Sequence, residues 1–119
     1  MSSFVPQEQR AIVRLSDEDG LRVLSVEGPL TLSTLFPFQE AWRAEQAPTL
    51  IFDLAAVPYP DSAAVGSIVN AYVSRQNSGR RMAVVVQERV RKVMQITKVA
   101  SLFPILETLT EAKGSFSSK

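Results

Sequence analysis

The sequence predicts an α/β domain with a mixed sheet of four to five strands, opened by an antiparallel hairpin and continued by parallel strands, with about four helices. Three observations predict it. Two short runs, residues 50–54, apolar except for Asp53, and 82–86, continuously apolar, have the composition of strands buried on both faces. Each is followed by apolar residues at helical spacing: Val65, Ile68, Val69 and Tyr72 after the first, Val90, Val93 and Met94 after the second. A pair of alternating segments around Ser16-Asp17-Glu18-Asp19-Gly20 precedes both. Strands that alternate with helices become parallel neighbours joined by right-handed crossovers.

In chain order, residues 1–10 read as a polar tail. Residues 11–15 and 21–26 form the hairpin strands, and Gly28-Pro29 ends the second. From Thr31 to Glu45 the pattern is helical, with Leu35, Phe38 and Trp42 on one stripe and Pro37 placed in the first turn. Phe36 is grouped with Phe38 and Trp42 as core. After the strand at 50–54, Pro58 and Pro60 forbid a regular element, because each fixes φ and lacks an N–H. Asp61-Ser62 then caps a helix that closes at Asn77-Ser78-Gly79. A helix is expected over 88–98, with Val90, Val93 and Met94 inward and Arg89, Arg91 and Lys92 outward. Leu102-Phe103-Pro104-Ile105 is a candidate edge strand, residues 107–112 a short last helix, and 113–119 a tail.

The 119 residues suit one domain, 45% hydrophobic and 21% charged. A net charge of +1 gives no global field to gather nucleic acid or an anionic membrane. Cysteine is absent, which removes disulfides, thiolate metal sites and thiol nucleophiles. Histidine is absent too, so the usual general base and the commonest metal ligand are missing. No apolar run nears the roughly 20 residues of a membrane span, and residues 1–10 lack a signal-peptide core. A cytoplasmic protein with no cofactor, no metal and no membrane insertion is the expectation.

Among residues able to carry chemistry, Asp17-Glu18-Asp19 lacks the spacing of a calcium loop and reads as an acidic turn. Arg80-Arg81 with Arg89, Arg91 and Lys92 form either one positive patch or solvated faces. Asp61-Ser62 is the remaining candidate. A serine in a first helical turn points outward, where phosphate would add about −1.5 to −2 charge beside Asp61. That charge would repel a partner docked on the loop.

The run Phe52-Asp53-Leu54, then Pro58-Tyr59-Pro60-Asp61-Ser62-Ala63-Ala64-Val65-Gly66, resembles the signature of the STAS domain, the anti-sigma factor antagonist family of bacteria. The likeness continues through Arg80-Arg81-Met82-Ala83-Val84-Val85, residues 90–97 and Leu102-Phe103-Pro104-Ile105. It departs at Ala64, where the family usually has Gly, and at Pro60, where a branched or aromatic residue is usual. The resemblance implies a STAS domain over 11–112, with helices packed mainly on one face of the sheet. It further implies an anti-sigma factor antagonist that is not an enzyme. Its partner would be an anti-sigma factor with serine kinase activity, released on phosphorylation of Ser62, and a serine phosphatase would reset it. The implied contact surface is Tyr59, Asp61, Ser62, Ala63, Val65 and Gly66.

Two other readings stay open. One is a non-phosphorylated STAS scaffold in a signalling assembly or a transporter-associated complex. The other is an enzyme whose serine would need Lys, Asp or Glu as its base, although no lysine precedes Lys92.

Overall fold

A computed structural model of the chain describes residues 10–96 and 98–116. The expected tail at 1–10 therefore lies almost wholly outside the described residues. The elements follow in the order β1 (Ile12–Glu18), β2 (Leu21–Glu27), α1 (Phe36–Ala44), β3 (Thr49–Ala56), α2 (Ser62–Asn77), β4 (Arg81–Val86), α3 (Glu88–Ile96), β5 (Ile105–Leu106) and α4 (Leu109–Phe116). The five strands form one sheet in the order β1-β2-β3-β4-β5. β1 and β2 are antiparallel, and every later pairing is parallel.

Alternation along β2, β3 and β4 divides the core in two. Leu24, Val26, Leu50, Phe52, Leu54, Met82, Val84 and Val86 point to the face covered by α1, α2 and α3. Val23, Ile51, Ala83 and Val85 point to the opposite face, which Ala112 of α4 closes with help from Leu109 and Phe116. β4 from Met82 to Val86 and β3 from Thr49 to Phe52 are thus dry on both faces, as their apolar runs require, while Asp53 is half-buried. Phe38 meets Phe52 edge-on at 5.4 Å between ring centroids, seating α1 on the sheet. The buried indole N–H of Trp42 donates to Ser67 Oγ at 3.2 Å and fixes α1 against α2.

Several boundaries differ from the sequence reading. The hairpin loop is not 16–20 but Asp19-Gly20 alone, both residues with positive φ, so β1 runs on to Glu18. Two residues of positive φ match the twist of the flanking strands, which a longer loop does not need to do. The last helix runs to Phe116, into the stretch expected as a tail. Lys113 reaches Glu18 and Asp19 at 3.3 and 3.0 Å, and Arg81 lies over the Phe116 ring. The edge strand is Ile105–Leu106, one residue beyond the expected run, and α3 ends at Ile96 rather than at 98.

Two residues expected in the core are outside it. Phe36 is 66% exposed, because it stands in the first turn of α1 two residues from Phe38, on nearly the opposite side of the helix. Val93 is 51% exposed, because α3 packs through Val90 and Met94 and turns Val93 aside. Arg75, by contrast, is buried at the end of α2. Its Nε donates to the Arg81 carbonyl at 3.1 Å and its Nη2 to the Ala47 carbonyl, tying α2 to the starts of β3 and β4. Burial lowers its pKa, with Arg80 adding to the effect, but a guanidinium stays charged.

The Trp42–Ser67 bond yields a measurable expectation. Ser67→Ala leaves a buried N–H without its acceptor and costs about 1–3 kcal/mol. Urea denaturation followed by the fluorescence of Trp42, the sole tryptophan, measures it. An unchanged midpoint would show that the bond holds nothing.

Candidate functional site

The carboxyl ends of β2 and β3 lie side by side, and the loops that leave them are laced together. Gly28 N–H donates to the Ala56 carbonyl at 3.2 Å, and Asp61 N–H to the Leu30 carbonyl at 3.2 Å. Leu30 and Pro60 form an isolated parallel bridge. From the other side, Gln87 at the end of β4 donates through Nε2 to the carbonyls of Ala55 (3.0 Å) and Val57 (3.2 Å). The segment carrying Pro58, Tyr59 and Pro60 is therefore held from both flanks. Gly28 is required in this lacing, with φ +96 and a position where any Cβ would stand 2.6 Å from the Arg10 carbonyl oxygen.

Asp61 completes the junction. Its Oδ1 accepts from Ala64 N–H at 3.0 Å, the N-cap bond of α2. Its Oδ2 accepts from Leu32 N–H at 3.0 Å, reaching into the loop between β2 and α1. The bond from Ala64, then that from Leu32, holds the carboxyl below the ordinary carboxylate range. The side chain thus stays ionised and faces the positive end of the helix. Thr34 braces the same loop, accepting from Thr31 N–H and donating to the Pro29 carbonyl, both at 2.8 Å.

Ser62 is the first residue of α2 and is exposed. Around it the predicted residues take distinct places. Tyr59 is 58% exposed and stands over the loop, Gly66 is exposed one turn further along α2, and Ala63 and Val65 are half-buried. Ala64 faces the core, so the departure at that position points inward. Nothing lies within 4 Å of a Cβ built on Gly66. Sequence reasoning missed Leu32, 77% exposed and bonded through its N–H to Asp61, while Phe36, 66% exposed, stands in the first turn of α1, the helix that follows this loop. Leu32 sits between Thr31 and Ser33 with no periodicity to mark it. Gln87 was missed for the same reason, since one amide in a loop carries no pattern.

The basic residues do not make one patch. Arg80 and Arg81 are at the start of β4, with Arg80 bonded to Gln46 and Arg81 over Phe116, while Arg89, Arg91 and Lys92 follow its far end. Asp17, Glu18 and Asp19 lie in the hairpin, and no group of three or more potential ligands is placed to hold a metal among the described residues. No helix of the described residues is long and apolar enough to cross a membrane.

Fold and site define an α/β module that presents a rigid loop and a helix start at the carboxyl ends of its parallel strands. The chain belongs to the STAS domain family, whose profile matches residues 13–112. Its fold is shared with an anti-sigma factor antagonist from Mycobacterium paratuberculosis (TM-score 0.82, 23% identity, covering 94% of this chain and 97% of that one). It is shared also with an anti-sigma-factor antagonist (STAS) domain protein from Planctomyces limnophilus (TM-score 0.73, 21% identity, 89% and 98% covered). A murine anion transporter, Solute Carrier 26 family member A9, contains a similar domain (TM-score 0.70, 12% identity), covering 90% of this chain but 22% of the transporter. No curated protein matches in sequence. At these identities the likeness to solved structures is one of fold.

Asp61 gives the site a pH signature. A carboxyl whose folded pKa is depressed stabilises fully above the ordinary carboxylate range, and that contribution disappears as pH falls through the lower folded value. Asp61→Asn offers one carbonyl oxygen in place of two and does not titrate. The stability gap between wild type and Asp61→Asn should be open at neutral pH and close below about pH 4. Urea midpoints across pH 2 to 7 test this; a constant gap would deny the carboxylate its role.

Proposed function

We propose that this chain is an anti-sigma factor antagonist switched at Ser62. Unphosphorylated, it binds an anti-sigma factor with serine kinase activity in the bacterial cytoplasm. The contact runs through Tyr59, Asp61, Ser62, Ala63, Val65 and Gly66, with Leu32 and Phe36 widening it. Kinase action moves the γ-phosphoryl group of ATP to Ser62 Oγ, ADP leaves, and the hydroxyl proton passes to a base on the partner. This chain supplies the acceptor oxygen and has no histidine to serve as that base. Hydrolysis by a serine phosphatase returns inorganic phosphate and the original hydroxyl.

One observation carries the reading: Ser62 is exposed beside a carboxylate that already occupies the helix end. A phosphate on a helix N-terminus is ordinarily absorbed by free N–H groups. Here Asp61 has taken the Ala64 N–H, and its fixed charge pushes a dianion outward. The new charge falls on the partner rather than on the host fold, where like charges brought together cost several kcal/mol. The exposed apolar residues Leu32, Phe36 and Tyr59 supply contact area that binding would dry.

Capture of the partner by unmodified protein, then addition of ATP, tests the switch. Release should coincide with a phosphate adduct that mass spectrometry places on Ser62. Ser62→Ala should bind as wild type and resist release, and Ser62→Asp should bind at least about tenfold more weakly. Equal binding by the two variants, or persistent absence of the adduct, would sink the switch and leave a constitutive scaffold.

Gly66 probes the closeness of approach. Gly66→Ala should stabilise the free protein by about 0.5–1 kcal/mol, since the site has helical backbone and open space. It should weaken the partner complex at the same time, by calorimetric titration. Unchanged affinity would place the contact elsewhere.

A further inference from the structure

Beyond the Ser62 face, the outer surface of α3 carries an exposed stripe of mixed character. Lys92 and Val93 lie three and four residues after Arg89, Ile96 lies four and three residues after them, and all four are exposed, Ile96 at 80%. The stripe is half cationic and half apolar. Its inner counterpart, Val90 and Met94, is fully engaged with the core. At its amino end the stripe borders a cleft of about 150 Å³ lined by Pro58, Tyr59, Pro60, Arg89, Val90 and Val93. The walls of that cleft are the stiff loop of the Ser62 site and α3 itself, so the stripe is continuous with the proposed switch surface.

We propose that this stripe and cleft dock an acidic amphipathic helix of the anti-sigma partner, a proposal that rests on the preceding functional reading. Charge selects the occupant. Lys92 has a loose pairing, 3.9 Å from Glu88, and Glu88 is shared with Arg91 at 3.4 Å. Arg89 and Lys92 therefore offer positive charge to an approaching carboxylate. The stripe itself carries no carboxylate, so a second copy docked through it would leave both cations without a counter-charge. Nucleic acid would need a denser basic field than two residues on a chain of net charge +1. Shape selects a helix: α3 bonds its backbone internally and cannot accept an added strand, so recognition must go through side chains. The stripe from Arg89 to Ile96 spans two turns, about 10 Å, with its apolar pair Val93 and Ile96 one turn apart, and so matches the ridge of a partner helix. Tyr59, shared by the cleft and the Ser62 face, would lie under both contacts.

Two measurements test this separately from the switch. In the first, ¹⁵N-labelled full chain is titrated with an 18-residue amidated helical peptide bearing Leu on one face and Glu along its flanks. Amide shifts should concentrate on Arg89, Lys92, Val93, Ile96 and Tyr59 and fade as salt is raised. A scattered response, or a stronger one at the same residues from phosphatidylglycerol vesicles or single-stranded DNA, would overturn the proposal. In the second, the captured partner is bound to wild type, Ser62→Asp, Arg89→Glu and Ile96→Asp, with circular dichroism to confirm folding. Both α3 variants should lose about tenfold or more in affinity, and Arg89→Glu should flatten the salt dependence. If Ser62→Asp weakens binding while both α3 variants bind as wild type, the docking proposal fails and the switch stands. If Ser62→Asp binds as wild type while the α3 variants fail, the switch falls and the docking surface stands.

Discussion

The site depends on one carboxylate with two donors from different parts of the chain. Asp61 accepts from Ala64, which starts α2, and from Leu32, which belongs to the connection between β2 and α1. A single side chain thereby decides where a helix begins and how a separate loop lies beside it. The proline-bounded segment before it and the Gln87 amide beyond it remove most of the remaining freedom. Ser62, the next residue, therefore projects from a platform that its own chemistry does not have to hold up.

That arrangement separates support from display. Beneath Ser62, α2 turns Ala64, Ser67, Ile68 and Ala71 inward onto the sheet. On the outside it shows Ser62 and Gly66, neither of which fills space in the core. A modification at the first helical residue alters the outward charge and leaves the buried contacts as they are.

Much of this was legible in the residues themselves. The runs at 50–54 and 82–86 could only be strands wet on neither face, and Asp61-Ser62 after two prolines could hardly be anything but a helix start. What stayed hidden depended on tertiary context. Leu32 has no periodic neighbours, and its place at the site follows from a hydrogen bond to a residue 29 positions away. Val93 looked like core because its spacing from Val90 fits a stripe, yet the helix settles on Val90 and Met94 and leaves it out. Arg75 gave the opposite surprise: its cation is buried because two strand-end carbonyls need a donor there. The likeness to the STAS signature placed the fold correctly, while the roles of single residues rest on physical argument.

The spatial order of the strands is also their order along the chain. A ribosome releasing this polypeptide would find each strand's neighbour already made, so the sheet can grow by accretion with no gap held open for a later arrival. The last piece is different. Val23, Ile51, Ala83 and Val85 remain uncovered on one side until α4 emerges. Lys113 then joins Glu18 and Asp19 across 95 and 94 positions, so α4 closes over a surface that stays open until all five strands have been made.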